Sequence, residues 1–530
     1  MQNRLNFRPS HSTVYHLILL AALFFLTRIF FLFSPAGQLG DADQAVFGMM
    51  AQKIAVLEEF PIFCWEAHYA GAPVAYIAAI IFKLFDAGFL QLRIAMMLII
   101  FPAFFLFYFI YVRLFDCQRA SVGVLFLLFS PYIVFNTTMA AYGGYGESFL
   151  GTALVILLSW KIRDQSIGIH TGTAFFLLGL ICGFFLYIQF YMIPAILAFA
   201  VPTLCLGDNR SRTFFQFGLG GFIGISPLIF HNILYGGGTF TRAAGNALLI
   251  GRDDIVALPM DVISNICLQK SNYLINWTSN APLIFGQLIT PDICGSTIQI
   301  TAGLILIIIC SGYIASCFRQ TTKKYTTYQL HRQFAFYIIF FLILILAASL
   351  HSVRHIVPLF FVLPVVFLSL IGNTLKLKKA SFLILIILSA FQVTGWIKEF
   401  NSPRFDPIPV ISAMERNGIK YFYSSYWTGY PIMFLGKGNL IGSPVLLPFN
   451  EPFSDRKPHF TEHVKDSLDS AFVFRSNENR LEKEFLSFLD NQGISNETME
   501  VAGTVIYFNL SKPVGAYFKK ENWNTYFYLK

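Results

Sequence analysis

Two aspartates one residue apart, in Gly40-Asp41-Ala42-Asp43-Gln44, follow the first long apolar run of the chain, which spans roughly Val14 to Ser34. A carboxylate set where a membrane helix emerges into water can take a proton from a nucleophile attacking a lipid-linked substrate. The same residues also have a plainer use, because Asp at the head of a helix caps its free N–H groups. Val46, Met49, Met50, Ile54 and Leu57 recur at helical spacing between Gln44 and Glu58. They predict an amphipathic helix resting on the bilayer surface, with Asp43 as its cap. A third acid, Glu147, enters an apolar span after Tyr142-Gly143-Gly144-Tyr145-Gly146. It is either a functional charge facing a helix bundle or a partner for the positive end of its own helix.

Phosphate needs cations, and Arg93, Arg354 and His355 stand at expected helix boundaries while Lys270 lies in a long loop. Arg offers two parallel donors to phosphate oxygens; the alternative for Arg93, Arg354 and Lys270 is a charged head reaching the interface from an apolar stem. Arg28, inside the first span, either pairs with an acid or reaches the interface. The Asp-Ala-Asp spacing permits a divalent metal, but two carboxylates do not require one, so no cofactor is required. Eight cysteines show neither zinc spacing nor a redox motif, and pairing of Cys267 with Cys294 is left open.

The elements that hold these residues follow from composition: 55% hydrophobic and 17% aromatic against 13% charged, far below the roughly 25% charged of soluble domains. This is a polytopic α-helical membrane protein. The net charge of +9 does not point to nucleic acid, because Lys and Arg sit in small groups between apolar runs, as they do in cytoplasmic loops. About eleven runs approach the roughly 20 residues needed to span: 14–34, 92–112, 120–137, 147–161, 170–188, 191–206, 213–233, 297–317, 333–350, 356–373 and 380–398. With the N-terminus inside, every second connection is basic. That places the 35–91 loop, the turn near 138–146, the 234–296 loop, the turn near 351–355 and the tail outside a cytoplasmic membrane. Ala72 to Phe85 is too short to span and reads as a juxtamembrane or re-entrant helix. The 234–296 loop, with Arg252, Asp253, Asp254, Lys270 and Trp277, is long enough to act as a lid.

Residues 1–399 thus form a transmembrane domain and 400–530 an extracytoplasmic α/β domain. The tail carries strand-like Tyr421-Phe422-Tyr423, Ala471 to Phe474 and Thr504 to Phe508, and a helical stretch from Asn479 to Leu489. Its Tyr423 to Tyr430 run is either an acceptor surface or the core of the small domain.

The order of motifs resembles the lipid-linked glycosyltransferases of GT-C fold, in the branch of protein O-mannosyltransferases and aminoarabinose transferases. The likeness rests on the aspartate loop, Glu58-Glu59-Phe60-Pro61, Tyr69-Ala70-Gly71-Ala72-Pro73, Leu92-Arg93, Tyr142 to Glu147, Arg354-His355-Ile356-Val357-Pro358, and Tyr423-Ser424-Ser425-Tyr426-Trp427 with Tyr430. It implies an inverting transfer of sugar from a polyprenyl-phosphate donor to a lipid, glycan or protein acceptor. It places the catalytic carboxylate at Asp43, with Asp41 beside it and Glu147 as the second acid. It places substrate contacts at Asp41, Arg93, Tyr142, Tyr145, Lys270, Arg354 and His355. Gln44 departs from the Asp-Glu pair common in the family. The competing class is a transporter or flippase for lipid-linked sugars, which would carry ionisable residues at mid-bilayer.

Overall fold

The computed structural model describes residues 11–165, 170–207, 209–240, 260–291, 294–319, 327–348, 350, 352–370, 375–444, 455–467 and 469–514. Arg252, Asp253 and Asp254 lie outside them, as does the side chain of Cys267. The chain divides into two compact units, Met1–Ser34 with Met96–Ser402, and Pro35–Ala95 with Pro403–Lys530.

The chain is a multi-pass membrane protein. Among the described residues, six helices are long and apolar enough to cross a bilayer: Thr13–Leu32, Phe89–Leu114, Thr171–Ile188, Arg210–Leu234, Ser296–Arg319 and Gln329–Ala347. A seventh is added if Cys117–Leu128 and Tyr132–Met139 make one span. Four further expected spans are helical without meeting that measure. Tyr145–Arg163 opens on polar residues, Phe190–Leu204 and Val353–Ser369 change helix type part-way, and Leu375–Phe400 opens on a lysine cluster.

The expected 120–137 span is broken, its halves bent by 81°. Pro131 has no N–H to continue the ladder and drives Ser130 out of the α region. Carbonyls freed at such a break need donors, because hydrocarbon supplies none. Arg28 Nη1 donates to Leu128 O at 3.3 Å and Trp396 Nε1 to Ser130 O at 2.9 Å. Among the described residues, Arg28 therefore pairs with no acid, and it does not reach the surface. It is fully buried, with the rings of Phe24, Phe104 and Phe135 at 4.6, 5.1 and 4.5 Å from its guanidinium carbon. The same device serves the 3₁₀ stretch Val357–Val362, where Tyr111 Oη donates to Phe361 O and Tyr337 Oη to Pro358 O.

Thr171–Ile188 and Arg210–Leu234 cross at backbone contact through Gly179, Gly183, Gly220 and Gly224. A Cβ on Gly183 would stand 2.2 Å from Gly221 O, and one on Gly220 only 2.0 Å from Phe176 O. Small residues at four-residue spacing permit this approach, which membrane helices use because lipid offers no hydrophobic drive to associate. Within the 234–296 segment, read from sequence as a loop, Met260–Gln287 is a 28-residue helix packed on Ser296–Arg319. Scattered polar residues hid its length.

The second unit joins Pro35–Ala95 to the tail. Its sheet, β1 (Tyr421–Ser424), β2 (Ile441–Ser443), β3 (Ala471–Arg475), β4 (Glu497–Val501) and β5 (Thr504–Phe508), runs in the order β2-β1-β3-β5-β4. β2, β1 and β3 are parallel, and β3, β5 and β4 antiparallel. Helix Asn479–Gln492 lays Leu481, Phe485 and Leu489 on this sheet, with the Phe485 and Phe472 rings stacked at 4.3 Å. From the first long loop come the helices Ala42–Ala55 and Pro73–Leu84. The apolar face of Ala42–Ala55, which its spacing predicts to meet the bilayer surface, is covered by protein. Val46, Met49, Met50 and Ile54 are buried in the unit and only Leu57, beyond the helix, is 64% exposed. Its apolar face meets helix Tyr426–Leu435, with Gly48 against the Phe434 ring.

Candidate functional site

The two loop aspartates have different fates, and the assignment of the cap is corrected. Asp41, not Asp43, is the N-cap: its backbone is extended and its Oδ1 accepts from Gln44 N at 3.1 Å. Asp43 sits one turn-position inside the helix, half-buried, with no capping duty. Its Oδ1 accepts instead from Tyr426 Oη, at 2.8 Å, across 383 residues of sequence.

Tyr426 opens the helix Tyr426–Leu435, whose start is held by Glu478: its carboxylate accepts from Ser425 Oγ, Thr428 Oγ1 and the Arg475 N–H. Four residues on, Tyr430 lies on the same face. The two hydroxyls grip Arg456, which donates through Nε to Tyr426 Oη at 3.4 Å and through its backbone N–H to Tyr430 Oη at 2.7 Å. Next to it, Lys457 Nζ donates to both oxygens of Glu59 at 2.8 and 2.9 Å and lies 4.5 Å from the Trp65 ring centre. Glu59 belongs to the Pro35–Ala95 segment, so this ion pair ties tail to loop.

Charge and burial act together here. Tyr426 is 4% exposed; burial first, and the Asp43 carboxylate second, push its phenol well above the ordinary range, so it stays protonated and donates. Burial likewise pushes the Cys64 thiol up to about 11, with Arg456 opposing and Asp43 reinforcing the shift. The Asp455 carboxyl is raised by burial, against hydrogen bonds from Thr461 and the Lys457 N–H. Arg93, 2% exposed, donates through Nη2 to Leu39 O at 3.1 Å, directly behind the acidic loop.

The other candidates lie in the membrane unit. Glu147 is 2% exposed and accepts the Gly144 N–H on Oε2 at 3.1 Å, closing the turn before its own helix; Oε1 is buried without a hydrogen-bond partner among the described residues. Gly144 has φ +120°, which L side chains rarely adopt, and a Cβ there would strike Gln189. Tyr145 and His355 do meet: the hydroxyls of Tyr145 and Tyr191 lie 3.0 and 2.5 Å from His355 Nδ1. Tyr142 is half-buried and Arg354 exposed. Lys270 Nζ donates to Ala347 O at 3.0 Å. No group of three or more His, Cys, Asp or Glu residues arranged to hold a metal occurs among the described residues.

Sequence reasoning missed Arg456 and favoured a core role for the Tyr423 to Tyr430 run that holds Tyr426. The legible signals were the charged triplet Asp455-Arg456-Lys457 before Pro458, and the four-residue spacing of Tyr426 and Tyr430.

No family model and no curated protein matches the sequence. Solved structures do. The oligosaccharyltransferase of Archaeoglobus fulgidus in its apo form superposes with a TM-score of 0.50 at 11% identity, over 87% of this chain and 69% of that one. ArnT from Cupriavidus metallidurans bound to undecaprenyl phosphate gives 0.45 at 11% identity, over 95% of this chain and 99% of that one. At such identity the likeness to the oligosaccharyltransferase is one of architecture: this chain has the GT-C fold.

Proposed function

We propose that the protein is an inverting glycosyltransferase that moves a sugar from a polyprenyl-phosphate donor to an acceptor at the outer face of the cytoplasmic membrane, with Asp43 as general base. The observation that carries this reading is the state of Asp43. It is a half-buried carboxylate relieved of capping by Asp41 and fixed at one oxygen by Tyr426, with the Arg456 guanidinium behind that phenol. The fold supports it by analogy, since the oligosaccharyltransferase is itself a glycosyltransferase by name.

In the proposed step the acceptor hydroxyl or amine gives its proton to Asp43 Oδ2 as its lone pair forms a bond to the anomeric carbon. The bond from that carbon to the phosphate oxygen breaks, and polyprenyl phosphate leaves with the electron pair. A single displacement inverts configuration. The leaving phosphate gains negative charge, which a cation stabilises. Tyr142, Tyr145, Lys270, Arg354 and His355 are proposed donor contacts of the membrane unit. Arg93 is assigned to holding the acidic loop through the Leu39 carbonyl. Glu147 is assigned to its glycine turn.

The test is to incubate purified protein with polyprenyl-phosphate sugars and acceptors bearing hydroxyls or amines. Wild type is expected to transfer sugar, and Asp43→Asn to be slower by about 10² to 10⁴, the usual contribution of a positioned base. A wild type that transfers none from any donor sinks the transferase reading; an Asp43→Asn variant as fast as wild type removes the base.

A further inference from the structure

We infer that Tyr426, a residue of the tail, is the positioning residue of the base: it holds Asp43 Oδ1 so that Oδ2 alone is presented to the acceptor. This rests on the transferase reading and goes beyond it, because it makes the C-terminal domain part of the catalytic apparatus.

The direction of the proton in this chain is fixed by chemistry. Arg456 Nε can only donate, so Tyr426 Oη accepts at 3.4 Å and must send its own proton elsewhere. The carboxylate of Asp43 can only accept, and it stands 2.8 Å away. Burial keeps the phenol protonated. The order Arg456 to Tyr426 to Asp43 is therefore one-way. Two further contacts hold the relay still: the Arg456 N–H on Tyr430 Oη at 2.7 Å, and the Tyr426 and Tyr430 rings packed edge to face at 5.0 Å. A carboxylate held through one oxygen has its second oxygen's direction set by geometry, which is how a neighbour of the base raises rate without touching substrate.

Tyr426→Phe keeps the ring and its packing and removes only the donor. The expected result is a kcat lowered roughly ten- to hundredfold, the worth of one hydrogen bond to a charged group, with KM little changed. In the Asp43→Asn background the same substitution is expected to cost nothing further, since residues acting as a unit are not additive. Arg456→Met frees the phenol to rotate and is expected to lower kcat in the same Asp43-dependent way, which serves if Tyr426→Phe does not fold. If transfer depends on Asp43 but both variants keep wild-type kcat, or if their losses add to that of Asp43→Asn, the positioning role is overturned while the transferase reading stands. If wild type transfers no sugar, both fall.

Discussion

Asp41 and Asp43 stand two positions apart on the chain, yet the helix makes one a cap and leaves the other without capping duty. Asn caps as well as Asp, so Asp41→Asn is expected to keep both thermal stability and transfer rate near wild type, whereas Asp43→Asn loses rate without losing stability. Thermal melts and initial rates on the two variants check this, and a metal held by both carboxylates would instead make Asp41→Asn as inactive as Asp43→Asn. Cys64 offers a second test of the cluster. Its folded-state thiol is pushed up to about 11 by burial, and the thiolate is the reactive form. The folded protein is expected to resist maleimide at Cys64 at neutral pH and to label faster as pH rises toward 11; urea should expose the thiol at any of these pH values. Mass spectrometry of the labelled peptide reads the result. Asp43 as the proposed base came from the sequence and its family resemblance. That Asp41 and not Asp43 is the cap was not legible, because a cap is defined by backbone angles and an N–H contact that spacing does not report.

Among the elements, the helix pair Thr171–Ile188 and Arg210–Leu234 shows what a small side chain decides. The Cβ sites on Gly183 and Gly220 are filled by the facing backbone, which cannot give as a flexible side chain can. Gly183→Val is therefore expected to destabilise by about 1–3 kcal/mol or more, seen as a lower melting midpoint in detergent, while Gly218→Ala, which faces open space, is expected to be nearly neutral. Broken elements were the harder ones to read. Apolarity marked 120–137 as a span, and Pro131 was visible in it. What could not be seen was that Arg28 and Trp396 supply the donors that let the chain bend there inside a membrane. The helix Ala42–Ala55 shows the converse case. Its periodicity correctly announced an apolar face, but periodicity does not say whether that face is covered by lipid or by protein, and here it is Tyr426–Leu435 that covers it.

At the scale of the whole molecule, Pro35–Ala95 and the tail form one compact unit although the membrane-spanning majority of the chain lies between them in sequence. The loop's helix packs on Tyr426–Leu435, and Glu59 is held by Lys457. A chain ending near residue 402 is expected to insert in membranes, yet to lose transfer and to become cleavable by protease within 35–95. A truncated protein whose loop stays protected would show that the loop folds without the tail. Composition determined the membrane class, because hydrophobic length is a local property written residue by residue. Only the tertiary structure decided that Asp43 is held by a tyrosine 383 positions away, and that Arg456 belongs to the same cluster. Such a contact depends on two distant segments sharing one core, and no local spacing records which segments will do so.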